Sequence, residues 1–305
     1  MVNSKRQIAS WALGALIAVA IAPSVLAQQL SPPPAPSAEK QKMIDLGIAH
    51  KTARGLYDYL KQQAGGGKPL TWQTIPDWTG LWTREASPFF WDPDQTSNTQ
   101  LPTAKMTPEY KKMLLEKLDR VAKGNEFDQL SNCEPAGMPR WLVEPFLREH
   151  IVTPNETWLI TEQQNEIRRV YTDGRDHPSP DDAYPLWEGD SIGFWDGDKL
   201  VIHTSQMRAG QYQRIQPFYS DQVETVEIWH RQDPTTMVVE VWAYDPPALA
   251  EPWYTKQVYK RLSNEDKSLR IRYWDCQENQ NNVVTETKTG SSTFKDFTFT
   301  KQDDK

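Results

Sequence analysis

From Ile151 onward the chain alternates short β-branched and aromatic runs with turn chemistry, and no helical pattern intervenes. The runs predict strands at Thr157–Thr161, Glu166–Thr172, Ser191–Trp195, Lys199–Thr204, Val223–His230, Thr236–Tyr244, Tyr254–Arg261, Leu269–Asp275 and Phe294–Thr300. Pro154-Asn155, Asp173-Gly174, Asp196-Gly197, Asp233-Pro234 and Asp245-Pro246-Pro247 fall between them as turns. Strand following strand excludes a βαβ fold and favours an antiparallel sheet or barrel. The sharpest unit is Ser191–Trp195, Asp196-Gly197-Asp198, Lys199–Thr204. Asp-Gly between alternating apolar runs is a hairpin signal, because Gly accepts positive φ at no steric cost.

Two Gly-x-Trp sites, Gly80-Leu81-Trp82 and Gly193-Phe194-Trp195, each bring a large apolar ring and one indole N–H that needs a partner. Several strands place charge at both parities: Arg168 and Arg169 are adjacent in one run. Mixed faces predict a barrel with a partly polar interior, in which inward charges need partners. Two helices are expected beside it. One spans about Glu39 to Gln63, with Ile44, Ile48, Leu56, Tyr57 and Leu60 on its apolar side, and ends at Gly65-Gly66-Gly67. The other runs from Thr107, a suitable N-cap before Pro108, to Lys123, with Tyr110, Leu114, Leu118 and Val121 in one stripe.

Residues 1–27 read as a cleaved export signal: Lys5 and Arg6, an apolar run from Trp11 to Ala22, and Val25-Leu26-Ala27 before the cut. Residues 28–74 then hold a Pro-rich linker and the first helix, and 75–305 form a single β-barrel-type domain. A periplasmic or secreted location follows, with no stable membrane anchor. Lys and Arg number 34 against 41 Asp and Glu, a balance that argues against nucleic acid as a partner. Only Cys133 and Cys276 occur, and an oxidising compartment makes a disulfide between them the expectation.

The densest polar cluster is Tyr171-Thr172-Asp173-Gly174-Arg175-Asp176-His177-Pro178. If this segment is extended, Asp173, Arg175 and His177 point one way. Tyr171, Asp173, Arg175 and His177 are therefore the candidate catalytic residues: Arg175 to hold a ligand oxygen, His177 to move a proton, Asp173 to set its tautomer. A plain turn closed by an Asp–Arg pair is the alternative, and gives His177 no task. Glu188 and Asp190, beside the second Gly-x-Trp site, join Trp82, Trp195, His203 and His230 as candidate ligand-binding residues. The five His are scattered, without H-x-H or HExxH spacing, so no metal and no cofactor is expected. Serine elbow, P-loop and dinucleotide fingerprints are missing from the sequence.

The segments CEPAGMPR (133–140), YTDGRDHP (171–178), GDSIGFWDGDKLVI (189–202) and DPPALAEPW (245–253) resemble a family of exported bacterial proteins of unassigned function, over about residues 75 to 280. The chain departs from that pattern at Asp190, Lys199 and His203, where members often carry His, Thr and Asp. The Gly80-x-Trp82 site also resembles the first strand of the calycin superfamily, in which an Arg from the last strand packs on the Trp. That resemblance implies a lipocalin-like antiparallel barrel and makes Arg261, Arg270 or Arg272 the packing partner. Three functions remain open: binding of a small apolar or aromatic molecule in the barrel, an acid–base lyase, hydratase or isomerase acting on such a molecule, or an envelope protein with a filled barrel. A small-molecule ligand is the expected partner, with a homodimer compatible.

Overall fold

The computed structural model describes residues 30–85, 90–124, 128–179, 181–262 and 270–276, and the backbone of 284–286 and 292–294. Helices α1 (Ala38–His50) and α2 (Ala53–Gln63) precede β1 (Leu81–Arg84) and α3 (Pro108–Ala122). The strands that follow are β2 (Arg148–Val152), β3 (Glu156–Thr161), β4 (Ile167–Tyr171), β5 (Asp190–Asp196), β6 (Lys199–Ser205), β7 (Gly210–Gln211), β8 (Phe218–Tyr219), β9 (Glu224–Asp233), β10 (Thr236–Tyr244), β11 (Trp253–Arg261), β12 (Val284–Glu286) and β13 (Ser292–Phe294).

Nine of these close into a barrel in the order β1-β11-β10-β9-β6-β5-β4-β3-β2, with β2 returning to β1. The barrel is mixed rather than purely antiparallel, because β4 and β5 run parallel and meet only at Val170–Ser191 and Tyr171–Ile192. The long connection from Thr172 to Gly189 brings the chain back to the start, as a parallel pair requires. β5 and β6 form the expected hairpin, with Asp196 opposite Lys199 and Gly197 at φ +64°.

Alternation sorts the side chains into two clusters. Trp195, Leu200, Ile202, Trp229, Val239 and Tyr259 face inward, with Trp82 across from them. Ile192, Phe194, Val201, Val226, Trp242 and Tyr244 face outward, under α1 and α2. The interior is occupied by large side chains: the Trp229 and Tyr259 rings stack 5.7 Å apart, and Arg148 lies 4.7 Å from the Trp141 ring and 5.0 Å from Tyr259. Inside, Arg168 meets Glu227 through two bonds of 2.9 and 2.7 Å, both residues being essentially inaccessible. Ser191, Thr204, Thr225 and the Trp229 indole complete that network.

The packing of Arg on the Gly-x-Trp tryptophan is made by Arg261, whose guanidinium lies 5.1 Å from the Trp82 ring and whose Nε donates to Thr79 O at 2.8 Å. Trp82 and Trp195 are both buried. Trp82 donates its indole N–H to Trp78 O at 3.1 Å, but the Trp195 indole N–H, against expectation, has no partner among the described residues.

The expected first helix is two helices. Lys51 turns to φ +56°, and Thr52 caps α2 by accepting from Gly55 N at 3.0 Å. Gly47 lets α1 lie on the barrel: a Cβ there would sit 2.6 Å from Trp242 Cδ1. Trp242 and Tyr244 in turn donate to the carbonyls of Met43 and Gly47. With α3, which starts at Pro108 as expected although the Thr107 hydroxyl donates to Pro247 O instead of capping it, the described residues hold three α-helices rather than two.

The Pro-rich stretch is docked at Ser31, which bonds to Thr99 O and Leu101 N. β2 was hidden in the sequence behind Arg148, Glu149 and His150. Residues 270–275, expected as a strand, form none. Asn165 holds Trp274 by its backbone at 2.9 and 3.0 Å, so side-chain bonds replace a ladder. Ser292–Phe294 pairs with Val284–Glu286, while Leu269, residues 295–300 and residues 1–27 lie outside the described residues.

Cys133 and Cys276 are bonded, their Cα atoms 5.7 Å apart, closing a loop 143 residues long in sequence separation. Thiol titration of denatured, unreduced protein is expected to find no free thiol. Reduction should destabilise by about 2–5 kcal/mol, read as a lower denaturant midpoint. No helix among the described residues is long and apolar enough to cross a membrane.

Candidate acid–base site

The outward faces of β5, β6 and β9 bring three titratable side chains into one line, which a fourth completes. Asp190 opens β5, His203 lies in β6 directly opposite Ile192, and Glu224 opens β9. His177 arrives from the connection after β4. Its Nδ1 bonds to Asp190 Oδ1 at 2.5 Å and its Nε2 to His203 Nδ1 at 2.7 Å. The other ring nitrogen of His203, Nε2, bonds to Glu224 Oε2 at 3.3 Å. The order is Asp190–His177–His203–Glu224.

Local structure explains the alignment. His177 N donates to Asp176 Oδ1, and Asp176 is gripped by Arg54 of α2 at 2.6 Å. Arg54 also pairs with Asp58 one turn on. The Tyr57 ring packs 5.6 Å from His203 and 5.3 Å from Phe194, covering one side of the line. Burial raises the Tyr57 phenol well above its ordinary range, so it stays protonated. Side-chain exposure rises from 3% at His203 to 38% at Glu224, so the line runs from a covered middle to solvent.

Proton bookkeeping follows from the chemistry of the groups. A carboxylate only accepts, and a neutral imidazole carries one N–H. Three hydrogen bonds among two carboxylates and two imidazoles need three protons, whereas two neutral imidazoles bring two. The line therefore holds one extra proton whenever all three bonds are made, and each bond is a path along which it can pass.

The structure joins three of the sequence candidates, His177, Asp190 and His203, and adds Glu224, Tyr57 and Arg54. It separates the others. The carboxylate on His177 is Asp190, not Asp173. Both Asp173 oxygens are taken by Arg175 at 2.6–3.0 Å, and that guanidinium lies 4.1 Å from the Tyr171 ring, exposed. The Asp-Gly turn folds Asp173 back on Arg175, so the segment is not extended and the parity argument does not apply. Tyr171 belongs to that turn cluster. Trp82 and Trp195 belong to the packed interior. His230 stands on the outward face of β9 beyond Glu224, half-buried and not bonded to the line.

Glu188 lies apart, its carboxyl oxygens buried beside Glu166. Burial and then the neighbouring Glu166 push its carboxyl well above the usual range. Glu166 itself accepts from Ala136 N and Gly137 N, in the CEPAGMPR segment. Among the described residues no group of three or more His, Cys, Asp or Glu is arranged to hold a metal ion. No family model matches the chain, and no curated protein matches it.

Proposed function

We propose that the protein is an exported acid–base catalyst of the lyase, hydratase or isomerase type, acting on a small molecule at the Asp190–His177–His203–Glu224 line. One observation carries the reading: two imidazoles bonded to each other, each with a carboxylate on its outer nitrogen. Such an arrangement fixes both rings and gives a proton a path between them, as general acid–base catalysis requires. The loosest link, between His203 and Glu224, is also the most exposed. Substrate enters there. Glu224 and His203 exchange the proton with it, and His177, oriented by Asp190, passes charge along the line. The disulfide is compatible with export into an oxidising compartment.

The test is incubation of the purified protein with a panel of aromatic and terpenoid compounds, following product formation and Trp fluorescence together. His177→Gln is expected to keep the thermal midpoint and lower turnover by a factor on the order of 10²–10⁴. Glu224→Gln should act in the same direction. Turnover unchanged in both variants would overturn the reading.

A second reading, a binding protein that holds a small molecule within the barrel, is favoured by inward polar atoms without partners. These are both His150 ring nitrogens and the indole N–H groups of Trp78 and Trp195. The Trp78 ring lies 6.1 Å from His150 and 5.2 Å from Trp195. It predicts a fluorescence change without product.

A further inference from the structure

The parallel seam of the barrel is short. β4 ends at Tyr171 opposite Ile192, so Gly193, Phe194 and Trp195 continue along β5 without a β4 partner. A cleft of about 210 Å³ opens there. Phe194, the backbone at Trp195, Pro154 and Asn155 line it together with Lys61 and the Gly66–Pro69 loop. The loop is fixed against the strand, since Lys68 N donates to Trp195 O at 2.9 Å. Gly67 is needed at this approach: a Cβ would meet Phe194 Cβ at 3.0 Å.

The cleft's charge is uneven. Lys61 and Lys68 both border it, and neither forms an ion pair among the described residues; the contact Lys61 makes is with the Tyr57 ring, 6.0 Å away. Asp173 also borders it, but its two oxygens are occupied by Arg175. Thr172 Oγ1 is buried at the lining without a hydrogen-bond partner among the described residues. Two uncommitted ammonium groups in a protein of net charge −7, beside Phe194, Pro69 and Pro154, complement a molecule with one negative end and one apolar end. The volume lies below the roughly 300 Å³ at which drug-sized sites begin, which limits the apolar part to a single ring or a short chain.

We propose that this cleft binds a small carboxylate bearing one apolar ring or short chain. The site is separate from the Asp190–His177–His203–Glu224 line and does not rest on the proton-transfer reading, although the Tyr57 ring touches both Phe194 of the cleft and His203 of the line.

Benzoate, with benzyl alcohol as the uncharged control, is the probe, and calorimetry with amide NMR the readout. Benzoate is expected to bind with Kd on the order of 1 mM or tighter, shifting the Gly66, Gly67 and Gly193 amides. Benzyl alcohol should bind at least about tenfold more weakly, and the double variant Lys61→Met, Lys68→Met should lose a similar factor with its thermal midpoint retained. His177→Gln should bind benzoate as the wild type does, which separates this site from the catalytic reading. Absence of benzoate binding, equal binding of the alcohol, undiminished binding in the double variant, or shifts confined to other amides would each overturn the proposal.

Discussion

Replacing Glu227 by Ala is expected to cost about 3–5 kcal/mol of folding stability, because it leaves Arg168 charged and unpaired in the barrel interior. Arg168 is 1% exposed and gives Glu227 two of its bonds. Thr225 and the Trp229 indole N–H lose the same acceptor. The pair itself is not the source of the stability, since both charges are desolvated to make it. The double replacement Arg168→Met, Glu227→Leu should therefore recover most of the loss. Urea unfolding of the wild type and the two variants measures this directly. A single-variant loss under about 1 kcal/mol would mean that water reaches the guanidinium.

The acid limb of stability should be steep, and His150 accounts for a large part of it. Burial first, then Arg148, pushes its imidazole down from 6.5 to about 3. It sits among the Trp78, Trp82 and Trp229 rings. Above the unfolded value both states are neutral and pH has no effect through this group. As pH falls below about 6.5 the unfolded chain takes up a proton that the native state refuses, so stability drops by up to about 1.4 kcal/mol per pH unit. The fall ends near pH 3, after a loss on the order of 4–5 kcal/mol. His150→Leu removes the term, along with two buried nitrogens that lack partners. Unfolding curves at pH 7, 5 and 4 should show a shallower decline in the variant. Parallel declines would place the charge change elsewhere.

Most barrel strands could be read from the chain because alternation and turn residues agree there, as at Ser191–Thr204. β2 could not, since Arg148 and His150 read as surface residues while the interior accepts them, Arg148 by lying against aromatic rings and bonding to backbone carbonyls. Residues 270–275 misled in the opposite way: apolar alternation was present, but the segment is held by Asn165 and the Cys133–Cys276 bond. In the site, the residue types at 177, 190 and 203 were visible, and their joining was not. That joining depends on a long connection and on which way a turn carboxylate folds. Glu224 had a usable signal, its two-residue spacing from the outward Val226 and Ile228, which starting that strand at Val223 did not draw out.

The two polar systems lie back to back across one wall. On β5 and β6, Ser191 and Thr204 reach inward to Arg168, while Asp190 and His203 reach outward to His177. Sliding β6 by a single residue would send His203 into the interior and Thr204 out beneath α2, breaking both sets at once. Hydrophobic packing alone discriminates weakly at this place, because Leu200, Val201 and Ile202 are apolar on either face. The wall is thus proofread from both sides, and insertions within Leu200–Thr204 should be tolerated far less than insertions at the exposed Asp196–Asp198 tip.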